Sequence, residues 1–124
     1  MAAPNIVNIT SMIGKTDTTS LTTTSATNLL NNAASSGKVL RVTLVRAVNT
    51  DGSNAADISV SLYSAASLGG AATELIQAKQ VAINTNLDVI TKDTPLYLEE
   101  DTSLGATASA ANDIKMIVTY EEIS

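Results

Sequence analysis

The stretch "KVLRVTLVRAVNTDGSNAADISVSLY", residues 38–63, decides the fold class. Up to Asn49 the aliphatic residues recur at every second position, with Leu40, Val42, Leu44 and Val48 on one face and Arg41, Thr43 and Val45 on the other. Arg46 falls on the inward parity, so its head has to snorkel or pair near the end of the strand. Beyond "NTDGSN", Ile58, Val60 and Leu62 alternate with Asp57, Ser59, Ser61 and Tyr63. Asp51-Gly52 is a turn pair that accepts positive φ, and the expectation is a β-hairpin.

The same period continues outward. On the N-terminal side Val7, Ile9 and Ile13 oppose Asn8 and Thr10, giving a first strand that Gly14 bends to a close. Leu21, Thr23, Ser25, Thr27 and Leu29 form a second, more polar strand ending in the loop "NNAASSG". On the C-terminal side "SAASLGGAAT" reads as a small-residue loop. Leu75 to Ile83 reads as a strand with Leu75, Val81 and Ile83 buried, because Val81 and Ile83 are β-branched. "LDVIT", "PLYLEED" with Pro95 opening an edge, and "DIKMIVTYEEI" complete the set, the last placing Ile114, Met116, Val118 and Tyr120 on one face. Eight or nine short strands without a helix, a repeat or a linker imply one domain over residues 1–124. Its class is all-β, an antiparallel sandwich of the jelly-roll or immunoglobulin-like kind.

Composition narrows the function. The 124 residues contain no Cys and no His, so thiolate metal sites, disulfides and the usual general base are missing. Aromatics are 2% of the chain, all of them Tyr, which leaves almost no stacking platform for bases or sugars. A net charge of −5 with scattered Lys and Arg argues against direct nucleic-acid binding. The most apolar segment, "VLRVTLVRAV", is interrupted by Arg41 and Arg46 far short of a membrane span, and residues 2–13 do not resemble a signal peptide. The expectation is a soluble protein made in a cytoplasm, where the sequon at Asn8 goes unread.

Candidate chemistry is thin. Gly14-Lys15-Thr16 matches the second half of a P-loop, but the glycine required five residues earlier is Ile9, and no helix follows. Asn49, Asp51, Ser53 and Asp57 gather oxygens that suggest calcium, yet aligning Gly52 with the EF-hand glycine puts Ala47 and Ile58 where carboxylates are needed. A weak site near Asp51 stays open at this stage, beside the simpler reading of Asx turns. Glu99-Glu100-Asp101 and Glu121-Glu122 are carboxylate pairs, but neighbours on a strand point to opposite faces. Ser and Thr are abundant without a base to activate them, and no Lys stands out as the buried partner an isopeptide cross-link would need. No catalytic residue, cofactor or resident metal is assigned, and the chain is not expected to be an enzyme.

The residues "SGKVLRVTLVRAVNTDGSNAADISVSLY" and "TPLYLEEDTSLGATASAANDIKMIVTYEEIS" resemble small structural proteins of tailed bacteriophages, especially the marine and cyanophage type. The shared features are Val45 to Asn49, Ser59 to Tyr63, Pro95 to Leu104 and Val118 to Ile123. The resemblance implies a virion protein, with capsid decoration or cement as the favoured role, bridging major capsid subunits on the outer shell as a homo-oligomer, a trimer by preference. A neck, tail or fibre-base protein and a carbohydrate-binding module are the alternatives. The polar stretch Ala2, Ala3, Pro4, Asn5 and Ile6, kept extended by Pro4, is the candidate docking arm.

Overall fold

The structure is a computed structural model and describes residues 9–124, which hold nine strands and no helix. They are β1 (Met12–Ser20), β2 (Thr27–Asn32), β3 (Val39–Asn49), β4 (Ala56–Ala65), β5 (Gly69–Val81), β6 (Asn86–Ile90), β7 (Leu96–Leu98), β8 (Thr102–Ala108) and β9 (Ile114–Ile123). One sheet has the order β1-β9-β3-β6, with β7 also on β3; the other has the order β2-β8-β4-β5. Every pairing is antiparallel. Taking β6 and β7 as one strand broken by Thr91–Pro95, the two four-stranded orders are those of a jelly roll, with the chain changing sheets at every connection except the β4–β5 hairpin, which settles the choice between the two sandwich types.

The core between the sheets is aliphatic. Leu21, Val42, Val45, Ile58, Val60, Leu98, Leu104, Ile114 and Met116 are fully buried, and Tyr120 is the one aromatic in the cluster. As expected, β9 turns Ile114, Met116, Val118 and Tyr120 inward, and β4 turns Ile58 and Val60 inward.

Six expectations are corrected. In β3 the parity breaks at Thr43, an extra residue between the Val42/Tyr120 and Leu44/Thr119 pairs. Beyond this bulge Val45, Ala47 and Asn49 face the core, while Leu44 and Val48 are half-buried on the outer face. Arg46 is outward too, and pairs with Asp88 of β6.

"NTDGSN" is not a hairpin turn, because β3 and β4 lie in different sheets and the segment carries the chain between them. Gly52 does not use positive φ. Asn49 accepts the Asp51 N–H, and Asp51 accepts the Ser53 N–H, so side-chain oxygens shape the bend that glycine was expected to supply.

The hairpin is one connection later. β4 and β5 pair through a tip at Ala66, Ser67 and Leu68, where Ser67, Leu68 and Gly70 all have positive φ. Most of the expected "SAASLGGAAT" loop is therefore strand. Bulges and a positive φ at Ala78 shift the phase of β5, leaving Leu75 exposed and burying Val81, and Ile83 is exposed in the turn beyond the strand.

The two N-terminal strands move along the chain. Gly14 lies inside β1 opposite Glu121, and Ile13 is exposed. Leu21 is buried outside any strand: its N–H donates to Ile114 and its carbonyl accepts from Asn112, and the chain then crosses to the other sheet before β2 begins at Thr27.

β8 carries no expectation. Its small residues weaken the pattern, yet it is an inner strand between β2 and β4, and Gly105 fits where Leu68, Tyr63 and the Thr27 carbonyl approach.

Candidate interaction face

The groups with chemical promise are engaged in holding the sandwich together. Asn49, buried at the end of β3, donates its amide to the carbonyls of Val81 and Asn54, each at 3.0 Å, and so ties one sheet to the other. Asn32 does the same at the opposite corner, donating to the carbonyls of Leu98 at 2.9 Å and Lys38 at 3.0 Å and accepting from the Ser36 hydroxyl. A buried amide pays for its desolvation only when its donors and acceptor are matched, as both are. Sequence reasoning missed Asn32 as a clamp and placed Asn49 in an Asx turn, with a weak calcium site as the lesser alternative. The signal available was each Asn standing at the end of an aliphatic run.

The oxygens weighed as a weak calcium site are each occupied otherwise. Asn49 is committed to backbone, Ser53 contributes its N–H, and Asp57 lies on β4, its N–H donating to the Ser109 hydroxyl. The neighbour of Asp51 is instead Asp113: desolvation and the Asp51 charge push the Asp113 carboxyl above its ordinary value, while the Ser53 N–H holds Asp51 below it. Among the described residues no three acidic side chains converge as a metal site.

Gly14-Lys15-Thr16 is plain edge strand. Lys15 reaches Glu122 at 3.1 Å and the Thr16 hydroxyl meets that of Thr119 at 3.2 Å, leaving no loop to wrap a phosphate. Glu121 and Glu122 separate as strand neighbours do. Glu121 pairs with Arg41 at 2.7 Å, whereas Glu122 takes both Lys15 and Lys38, whose ammonium groups hold its carboxyl below the usual range. No lysine is buried. In the turn before β8, the Asp101 carboxylate accepts the Ala66 N–H and Glu100 accepts the Gly37 N–H, so these acids cap neighbouring loops.

What remains is surface. The outer face of the β1-β9-β3 sheet is laid out in rows set by register: exposed Met12 beside Ile123 and Val39, which are themselves buried; then Gly14, Glu121, Arg41 and Tyr97; then Thr18, Ile117, Arg46 and Asp88. Met12 and Tyr97 are about half exposed, at 51% and 46%. At one end an open depression of about 400 Å³ lies among Thr18, Ser20, Val48, Lys115 and Ile117. Alternating apolar spots and neutralised ion pairs suit a protein contact better than a small ligand, which needs enclosure and convergent polar groups.

The candidate arm, Ala2, Ala3, Pro4, Asn5 and Ile6, lies outside the described residues. Its root does not: Thr10 and Ser11 bond Ser124, which puts the entry of the chain beside its C-terminus, next to the Met12–Ile123–Val39 row. No described helix is long and apolar enough to cross a membrane. In comparisons with known proteins, no family model, curated protein or solved structure matches this chain significantly.

Proposed function

We propose that this chain is a structural protein of a tailed-phage particle, a capsid decoration or cement protein that binds the outer shell where major capsid subunits meet. The observation that carries the reading is the division of labour within the sandwich. The Asn clamps, acidic turns and ion pairs among the described residues serve the fold, and the capacity left over is a stiff outer face that exposes Tyr97 and, beside the root of the N-terminal segment, Met12. A rigid block of this kind bridges neighbouring shell subunits against internal DNA pressure by contact alone. The sequence resemblance to phage structural proteins points the same way. The acidic charge of −5 keeps the chain soluble before it docks.

The test is reconstitution on particles stripped of this protein. Full-length chain is expected to rebind in many copies and to raise the temperature at which the particles release DNA. Removing residues 2–6 is expected to abolish rebinding while leaving the folded domain unchanged. Failure of the full-length chain to bind the shell would overturn the reading, and undiminished binding by the shortened chain would remove the arm from it.

A further inference from the structure

We propose that β1 is a self-pairing edge, on which a second copy of this chain adds its own β1 antiparallel around a two-fold axis at Thr16, joining two sandwiches through one continuous sheet. The edges of the two sheets differ in how they are protected. β5 is interrupted by three register shifts, β2 by one, and β6 and β7 are short fragments of a broken strand. Bulges and breaks of this sort prevent edge-to-edge association. β1 has none: its nine residues pair with β9 in unbroken register, and eight of the nine are exposed.

The direction of its free groups follows from the ladder. Ser11 and Ser124 exchange both backbone bonds, so with unbroken alternation the odd residues of β1 bond β9 and the even ones turn N–H and C=O to the open edge. Among the described residues Met12, Gly14, Thr16, Thr18 and Ser20 therefore offer a row of donors and acceptors. Thr16 is the midpoint of Met12–Ser20. A two-fold axis there uses the whole strand, with Thr16 against the partner's Thr16, Gly14 against the partner's Thr18 and Met12 against the partner's Ser20, all as hydrogen-bonded pairs.

Charge selects this register. Centring on Thr16 sets Lys15 opposite the partner's Asp17, and Asp17 opposite the partner's Lys15, in non-hydrogen-bonded positions where opposed Cα atoms are about 4.5 Å apart and side chains are closest. Moving the axis by one residue puts Lys15 against the partner's Lys15, or Asp17 against the partner's Asp17, which is repulsive. The two side chains are already oriented on that face, Lys15 by Glu122 and Asp17 by the Tyr120 hydroxyl at 3.3 Å. The symmetry is two-fold, not the three-fold that the resemblance implies, and the pairing does not depend on where the protein sits on a particle.

The test uses the full chain and its freedom from cysteine. Sedimentation of the wild type is expected to give twice the 12.8 kDa monomer mass at micromolar concentration. Thr16→Cys is expected to cross-link under mild oxidation, since opposed Cα atoms of a hydrogen-bonded pair, about 5.5 Å apart, fall within disulfide range, whereas Thr18→Cys is not. Thr16→Pro removes an N–H that faces the open edge and none from the β9 ladder, so it is expected to keep the β circular dichroism signal and weaken the dimer by ~100-fold or more. Asp17→Lys and Lys15→Glu chains are each expected to be monomeric alone and to form a heterodimer when mixed. A wild type that stays monomeric would leave the edge to another segment or another protein and overturn the proposal. So would a folded Thr16→Pro chain that still dimerises, or cross-linking of Thr18→Cys as fast as of Thr16→Cys.

Discussion

The side-chain amide of Asn49, at the end of β3, donates to the carbonyl of Val81, at the end of β5, across a distance of 3.0 Å and from one sheet to the other. Both ends of that bond are buried. Asn49→Ala leaves the Val81 and Asn54 carbonyls and the Asp51 N–H without their partner, and is expected to cost about 2–3 kcal/mol. Asp51→Ala removes only exposed turn bonds and is expected to cost under about 1 kcal/mol. Urea denaturation of the two variants checks the contrast.

The bulge at Thr43 makes a prediction about chain length. Thr43 and Leu44 both lie on the outer side, so deleting Thr43 turns β3 into a regular strand without moving any residue to the other face. The deletion variant is expected to fold with a loss of about 1–2 kcal/mol. Deleting Val45 instead also restores regular alternation but brings Leu44 into the buried place of Val45, and is expected to cost more, about 2–3 kcal/mol, through overpacking. Thermal melts followed by circular dichroism distinguish the two.

Gly105 sits in the middle of β8 where an added Cβ would come within 2.6 Å of Leu68 Cδ2, 3.0 Å of Tyr63 Cε1 and 3.3 Å of the Thr27 carbonyl oxygen. The Leu68 tip can move; the backbone oxygen of β2 cannot do so without opening the sheet. Gly105→Ala is expected to destabilise by about 1 kcal/mol and Gly105→Val by about 3 kcal/mol, as overpacking does. Denaturation midpoints report the order.

Two carboxylates give opposite responses to acid. Glu122 is held below its ordinary value of 4.5 by Lys38 and Lys15, so it stabilises the fold above that pH and the contribution is lost as pH falls through the depressed folded value. Asp113 is held above its ordinary value of 3.8 by desolvation and by Asp51, so its charge opposes folding at neutral pH and the penalty is absent below that value. Glu122→Gln is expected to lower stability at pH 7 and Asp113→Asn to raise it. Both differences from the wild type are expected to shrink toward zero as the medium is acidified, which denaturation at a series of pH values measures.

The sandwich class was legible because alternation survives wherever a strand has one covered face, as in Ile114 to Tyr120 and Ile58 to Val60. The connectivity was not. A bulge of one residue at Thr43 inverts the apparent facing of Val45 and Arg46, and nothing in residue type marks it. Asp51-Gly52 has the composition of a hairpin turn but serves a crossing between sheets, since long-range pairing of β3 with β9 outweighs local turn preference. β8 escaped notice because Gly105, Ala106 and Ala108 are chosen for closeness of packing and not for strand propensity. The clamps at Asn32 and Asn49 depend on partners far along the chain, 66 and 32 residues away, which periodicity cannot supply.

The most direct test of the proposed role is a symmetry-averaged electron cryomicroscopy map of the particle, with the copy number of this chain measured by quantitative mass spectrometry. The account predicts hundreds of copies as small two-layered densities on the outer shell, at the junctions of major capsid subunits. A dozen copies or fewer, confined to the neck, tail or fibre base, or a shell devoid of this chain, would contradict it.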